Sequence, residues 1–205
     1  MSFRLGFDAS RAVKLVLAVG LVPILVTIGE YPIAGGATHV CMGRIATIVG
    51  TDADERIVGT DQADTIVGLD GQDIIDGLAG DDRICGGRGD DIINGGAGDD
   101  EMDGAAGNDF ITGEDGNDQL LGGLGDDVLN FGDAEDGDDL VVGGVGADDL
   151  HAGVGADRLF GGPGEDRLAE GEVDAPTIDL FSGGPSVDTC SPGPEDIVFS
   201  CELPI

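Results

Sequence analysis

The sequence predicts an all-β protein: a right-handed solenoid of two parallel sheets that completes one coil every 18 residues. Three observations predict this fold. A glycine-rich unit of nine residues recurs along most of the chain. Each unit ends with an apolar residue between two residues of mixed polarity, which is the alternation typical of a strand. The 205 residues include 39 glycines, seven phenylalanines and no tryptophan, a composition unsuited to an ordinary globular core.

The first 37 residues differ in composition from the rest of the chain. Arg4, Arg11 and Lys14 precede the apolar run LVLAVGLVPILVTI, and the small residues AGGA follow at 34–37. This order predicts a secretory signal peptide over residues 1–37, cleaved near Ala37. A membrane anchor is the alternative, but the run is short for a spanning helix and contains Pro23. We therefore expect a secreted, extracellular protein with no membrane contact after cleavage.

The repeat fixes one register for residues 48–190 when the first glycine of each unit is numbered position 1. The sixth position is acidic in fifteen units: Glu55, Asp64, Asp73, Asp82, Asp91, Asp100, Asp109, Asp118, Asp127, Asp139, Asp148, Asp157, Asp166, Asp179 and Asp188. The eighth position is apolar throughout, from Ile57 to Cys190. The fourth position is glycine in eleven units. Three extra residues precede the unit of Asp139, and four precede that of Asp179.

The first six positions of the unit predict a turn, and the last three predict a short strand. Glycine allows positive φ and lets backbone carbonyls converge without a Cβ clash. A strand and a tight turn reverse the chain, so two units close one coil and unit n stacks on unit n+2. The eighth position faces the interior. Seven and a half coils at about 4.8 Å each would span roughly 35 Å.

The charge of the chain indicates cations as its partners. There are 42 acidic residues against 9 basic ones, a formal net charge of −33. This charge argues against nucleic acid and anionic membranes, which would be repelled. Stacking the turns places the sixth-position aspartates in two columns, where neighbouring carboxylates repel unless a cation lies between them. Calcium fits, because it accepts six to eight oxygen ligands from carboxylates and backbone carbonyls. We expect it to be part of the fold, with the metal-free chain largely disordered.

The unit matches the pattern G-G-x-G-x-D-x-U-x, where U is a large apolar residue. The chain thereby resembles the hemolysin-type calcium-binding, or repeats-in-toxin (RTX), family, whose fold is the parallel β-roll. The resemblance implies that aspartates and turn carbonyls of units n and n+2 share each of several Ca²⁺ ions. The aspartates implied as ligands are Asp64, Asp73, Asp82, Asp91, Asp100, Asp109, Asp118, Asp127, Asp139, Asp148, Asp157 and Asp166. The turn glycines implied at the sites are Gly68, Gly71, Gly77, Gly80, Gly86, Gly89, Gly95, Gly98, Gly104, Gly107, Gly113, Gly116, Gly122 and Gly125.

The sites are not expected to be equal. The first two units have Ala53 and Gln62 at the fourth position, and the last two have Thr177 and Ser186. We expect weak or absent ions there.

Four cysteines predict two disulfides in an exported chain, with three possible connectivities. Cys190 and Cys201 flank a short segment, so we expect a local bond that closes the C-terminal end. Cys41 then pairs with Cys85, because a segment folding back over two strands can reach it, whereas the other pairings join distant ends of the roll. The domains expected are a signal peptide (1–37), an N-terminal cap (38–47), a β-roll (48–190) and a C-terminal disulfide cap (191–205).

The cysteines and the leader make the chain look more like small, stand-alone secreted members of actinobacterial type than like the toxins. The function expected is that of a non-enzymatic calcium-binding protein at the cell surface or in the extracellular matrix, with cell-wall or matrix components as possible partners. A polysaccharide lyase or epimerase would need a basic, aromatic groove, yet residues 38–205 contain six arginines and no lysine. An adhesin-type binding module is the other alternative. The outward seventh and ninth positions are irregular along the sequence, which argues against a flat, repeating ligand surface.

Overall fold

The computed structural model describes residues 14–19, 22–27, 39–130, 137–169, 179–193 and 196–201. All regular structure in these residues is β. Near the N-terminus, β1 (Lys14–Val19) pairs antiparallel with β2 (Val22–Thr27). The rest of the predicted signal peptide, including the expected cleavage point, lies outside the described residues. No helix in the described ranges has the length and hydropathy to cross a membrane.

A short hairpin covers the start of the roll. It consists of β3 (Val40–Cys41) and β4 (Arg44–Ile45), which pair antiparallel. Directly after the hairpin the chain joins the roll, where the Thr47 N–H donates to the Thr65 carbonyl at 2.7 Å. The hairpin is the segment that folds back over the first strands.

Two parallel sheets form the roll, and successive units contribute to them alternately. The nine-stranded sheet contains β5 (Ile48–Val49), β7 (Thr65–Asp70), β9 (Arg83–Arg88), β11 (Glu101–Ala106), β13 (Gln119–Leu124), β15 (Leu140–Val145), β17 (Arg158–Phe160), β19 (Leu180–Ser182) and β21 (Ile197–Phe199). The eight-stranded sheet contains β6 (Arg56–Val58), β8 (Ile74–Asp76), β10 (Ile92–Ala97), β12 (Phe110–Asp115), β14 (Val128–Asn130), β16 (Asp149–His151), β18 (Arg167–Ala169) and β20 (Thr189–Ser191).

The register confirms the predicted coil. Ile93 on β10 lies beside Ile75 on β8 and beside Ile111 on β12, so unit n pairs with unit n+2 every 18 residues. Both insertions keep this pairing: Leu120 still aligns with Val141, and Leu159 with Phe181. The fold is therefore the predicted all-β roll of two parallel sheets.

The core is a single line of eighth-position side chains enclosed between the two sheets. It contains Ile57, Ile66, Ile75, Ile84, Ile93, Met102, Ile111, Leu120, Leu129, Val141, Leu150, Leu159, Leu168, Phe181 and Cys190, all buried. Each unit buries one large side chain, worth roughly 1.5–3 kcal/mol. The core is thus thin for the length of chain that it orders.

Both predicted disulfides are present. Cys41 of the hairpin bonds to Cys85 on β9, with a Cα–Cα distance of 5.7 Å, and the pair packs with Val67 in a small second core. Cys190 bonds to Cys201, also with a Cα–Cα distance of 5.7 Å. Cys190 occupies an eighth-position site in the core, so one end of this disulfide is buried inside the roll.

Candidate metal centre

Nine of the eleven fourth-position glycines have a positive φ, a backbone conformation that favours glycine. Gly89 has a φ of 122° and Gly107 a φ of 148°, both in the region that side chains with a Cβ disfavour. A Cβ on Gly89 would also overlap the carbonyl oxygen of Gly71, and one on Gly107 would overlap that of Gly89. Successive fourth-position carbonyls therefore stack against one another along the side of the roll.

The sixth-position aspartates form two continuous ladders beside these carbonyls. The Asp73 N–H donates to Asp91 Oδ1 at 2.8 Å, and the Asp91 N–H donates to Asp109 Oδ1 at 2.8 Å. The same bond joins Asp82 to Asp100 on the other side, again at 2.8 Å. Each carboxylate thus uses one oxygen to bind the backbone of the preceding coil.

The second carboxylate oxygen points into the turn and has no hydrogen-bond partner. It lies against the first-position glycine of its own unit, where a Cβ on Gly86 would overlap Asp91 Oδ2 and one on Gly104 would overlap Asp109 Oδ2. The buried, unpartnered Oδ2 atoms belong to Asp73, Asp82, Asp91, Asp100, Asp109, Asp118, Asp127, Asp148, Asp157, Asp166 and Asp188. An ionised oxygen buried without a partner costs several kcal/mol, so these positions require a cation or a proton.

Burial makes these carboxylates hold protons more tightly than usual. It raises the pKa of Asp100, Asp109, Asp157 and Asp166 to about 7, and that of Asp118 to about 8. Backbone hydrogen bonds oppose this effect, and the charge of neighbouring aspartates adds to it. At neutral pH these five carboxylates are therefore close to the balance between the charged and the neutral form.

The donor set fits a hard cation that takes backbone oxygens. Within the described ranges, no three Asp, Glu, His or Cys side chains converge on one point. A site here would combine the Oδ2 of one or two aspartates with the stacked turn carbonyls. An all-oxygen set of this kind suits Ca²⁺, which tolerates irregular coordination and takes carbonyls readily.

Asp64 differs from the other aspartates that the sequence implied as ligands. Both of its oxygens have local partners: Thr47 Oγ1 donates to Oδ1 at 2.9 Å, and Thr60 Oγ1 donates to Oδ2 at 2.8 Å. It begins its column as a partly exposed, hydrogen-bonded cap.

The columns continue past the last unit that has a fourth-position glycine. The Asp166 N–H donates to Asp188 Oδ1, and the Asp179 N–H donates to Asp196 Oδ1, both at 3.1 Å. Asp196 occupies the sixth position of a further unit, which ends in β21. The sequence predicted only a disulfide cap for this segment. The spacing of eight residues between Asp188 and Asp196, rather than nine, conceals the unit in the sequence.

A second ladder, not anticipated from the sequence, lies outside the first at the fifth position. The Asn108 N–H donates to Asp90 Oδ1 at 2.9 Å, and the Asp126 N–H donates to Asn108 Oδ1 at 2.9 Å. The equivalent bonds from Asn117 to Asp99 contribute to a lowered pKa of Asp99. These side chains are exposed, so this second ladder links the turns of successive coils by hydrogen bonds on the solvent side.

The fold and the aspartate columns together define a class of protein. It is a solenoid whose turns repeat a buried site that is lined by oxygen atoms. The chain matches the family model of the RTX calcium-binding nonapeptide repeat (four copies) over residues 49–84, 78–111, 94–129, 103–136 and 133–168. These matches extend over more than half of its length, and the chain belongs to this family. A search of the curated proteins finds no match to it.

RTX nonapeptide repeats bind Ca²⁺ between their turns, and the buried aspartates stack along this solenoid as several such ions require. The protein is therefore a calcium-binding β-roll.

Proposed function

We propose that the protein is a secreted, non-enzymatic component of the cell surface or extracellular matrix whose β-roll is ordered by Ca²⁺. The observation behind this proposal is the pair of aspartate columns, in which eleven carboxylates each have one oxygen buried without a hydrogen-bond partner. A second support is the pair of disulfides, which persist in oxidising, extracellular surroundings.

The ligands proposed are the sixth-position aspartates from Asp73 to Asp166, together with the stacked turn carbonyls, and the aspartates with a buried unpartnered Oδ2 act through that atom. The fourth-position glycines allow those carbonyls to stack, and the first-position glycines leave room for Oδ2. Asp188 belongs in the same set because its Oδ2 is also buried and unpartnered. Asp64 is the least suited, since both of its oxygens are already hydrogen bonded.

Calcium would drive folding because the stacked aspartates form its site only in the folded chain, and the ion neutralises the repulsion between them. Without a cation, stacked aspartates such as Asp82, Asp100 and Asp118 must either carry unneutralised charges at successive coils or take up protons. Each unit buries only one large side chain to offset that repulsion. A ligand that binds the folded but not the unfolded chain raises stability by mass action, and several sites raise it cooperatively.

A non-enzymatic role is supported by how the described residues are used. The sixth-position aspartates from Asp73 to Asp166 are all buried and recur at every coil of the roll, whereas an active site differs from its surroundings. The extracellular role is supported by calcium itself, because extracellular modules hold it with weak affinity where it is abundant.

The experiment that tests the proposal compares two neighbouring substitutions with the same change of charge. Asp91→Asn alters the buried ladder, whereas Asp90→Asn alters the exposed one and keeps an oxygen for the Asn108 N–H. Urea unfolding of each variant would be measured by circular dichroism in saturating Ca²⁺, and the β signal of each variant would be compared in chelator, where the wild-type chain is expected to be largely disordered.

Asp91→Asn should lose about 1–3 kcal/mol in Ca²⁺, because an anionic ligand is gone, and should show at least as much β signal as the wild type in chelator, because a buried charge is gone. Asp90→Asn should change the free energy of unfolding in Ca²⁺ by less than about 0.5 kcal/mol and leave the signal in chelator unchanged. If Asp91→Asn were as stable as the wild type in Ca²⁺, the sixth-position ladder would not be the calcium site.

A further inference from the structure

A row of four exposed apolar side chains runs across the outer face of the eight-stranded sheet. Ile74, Ile92, Phe110 and Val128 occupy the seventh position on β8, β10, β12 and β14, each directly beside the next. Their exposed fractions are 47%, 48%, 41% and 36%. At about 4.8 Å per strand this apolar row is about 14 Å long. A contiguous exposed row in so acidic a protein indicates an interaction surface.

The two ends of the apolar row have opposite charge. Arg56 on β6 lies beside Ile74, and Asp149 on β16 lies beside Val128. Arg56 contacts Asp76 at 3.4 Å but keeps 67% of its side chain exposed. Asp149 is held by Arg167 at 3.3 Å and by His151 at 3.0 Å. The row therefore runs from a cation, through four apolar residues, to an anion.

We propose that the apolar row is the contact face of a symmetric dimer formed by two copies of this chain. The twofold axis lies between β10 and β12 and runs parallel to the strands, so the order of the row is reversed in the partner. Arg56 then faces the partner's Asp149, Ile74 faces the partner's Val128, and Ile92 faces the partner's Phe110. Such an interface uses the same patch on both copies.

The fifth-position ladder at the edge of this sheet supports the same axis. Reversal places Gln72 opposite the partner's Asp126, and Asp90 opposite the partner's Asn108, so each carboxylate meets an amide. An axis parallel to the row would instead place Arg56 on the partner's Arg56 and Asp149 on the partner's Asp149. Like charges in direct opposition cost free energy, so the reversed arrangement is favoured.

The size of the face predicts a weak dimer. From β6 to β16 the sheet is about 24 Å wide, and its two longest strands, β10 and β12, are about 20 Å long, which gives at most about 500 Å² per copy. That is the lower limit for a specific interface, and we expect a dissociation constant on the order of 10 µM. The net charge of −33 opposes association, so the dimer is expected in Ca²⁺, which reduces that charge.

Sedimentation equilibrium of the full chain in Ca²⁺ tests the apolar row. Phe110→Asp should weaken the dimer by about 100-fold. The control is Gln119→Asp, which changes an exposed seventh-position residue on the nine-stranded sheet and should leave the dimer unchanged. Circular dichroism on the same samples shows whether each variant is folded, which separates a failure of the dimer from a failure of calcium-driven folding.

Charge reversal tests the axis. Arg56→Asp and Asp149→Arg should each weaken the dimer by about tenfold, since each places like charges at both ends of the row. An equimolar mixture of the two variants should restore it, because each mixed contact pairs Asp with Arg. A folded wild-type chain that stays monomeric, with or without binding a hydrophobic dye on the row, would overturn the proposal. So would equal weakening by Gln119→Asp, or no recovery in the mixture.

Discussion

Two neighbouring residues should respond in opposite ways to exchange between glycine and alanine. Gly104 is at the first position, facing the interior of the roll. A Cβ there would overlap Asp109 Oδ2 and lie 2.7 Å from the carbonyl oxygen of Gly122. Carbon and oxygen normally approach no closer than about 3.3 Å, so the carboxylate must rotate away. Gly104→Ala should therefore cost about 1–3 kcal/mol from overpacking and weaken one calcium site.

Ala105, the next residue, has a φ of 74°. This left-handed conformation costs a residue with a Cβ roughly 1–2 kcal/mol. Glycine removes that cost but loses about 0.5–1 kcal/mol through the greater freedom of the unfolded chain. Ala105→Gly should therefore stabilise the protein by about 0.5–1 kcal/mol and leave calcium affinity unchanged.

Urea unfolding in saturating Ca²⁺, followed by circular dichroism, measures both free energies of unfolding. A calcium titration of each variant shows whether the site itself has changed. A Gly104→Ala protein as stable as the wild type would mean that the carboxylate does not fill the space beside the first-position glycine. A loss of stability in Ala105→Gly would refute the turn conformation on which the site depends.

Two further predictions concern pH and the disulfides. Burial raises the pKa of Asp100 and Asp118 in the folded state to about 7 and about 8, above the ordinary value near 4. Without calcium the roll is therefore most stable below about pH 4, and it loses stability as the pH rises from there through about 7–8. Circular dichroism in chelator should show β structure increasing on acidification, and a signal independent of pH would contradict this prediction. Replacing Cys41 and Cys85 by Ala opens a link across 44 residues and should cost about 4 kcal/mol, against about 3 kcal/mol for Cys190 and Cys201 across 11 residues, as thermal unfolding would show.

The coil register could be predicted from the sequence because three residue types agree at fixed spacing. Glycine, aspartate and an apolar residue each have one role in the unit, so position 8 predicted the core and position 6 predicted the columns. Both disulfides followed once the coil was known, since Cys41 and Cys190 can each reach only a nearby partner. The fifth-position ladder did not follow, because Asp, Asn, Gln and Ala at one position resemble an unselected turn residue.

The apolar row is not visible in sequence order, because successive units alternate between two sheets. In sequence order the seventh position is irregular: Arg83 and Glu101 alternate with Ile92 and Phe110. Sorting alternate units onto separate sheets places Ile74, Ile92, Phe110 and Val128 side by side. Irregularity along the chain is therefore no evidence against an ordered surface in a two-sheet solenoid.

A calcium titration of the purified protein followed by far-UV circular dichroism tests the central claim most directly, with magnesium as the control. Since Mg²⁺ demands stricter octahedral geometry and gives up its water reluctantly, it should not replace Ca²⁺ in these turns. The account predicts a cooperative transition to β structure with Ca²⁺ alone, reversed by chelator. A β signal that persists in excess chelator at neutral pH, unchanged by Ca²⁺, would contradict it.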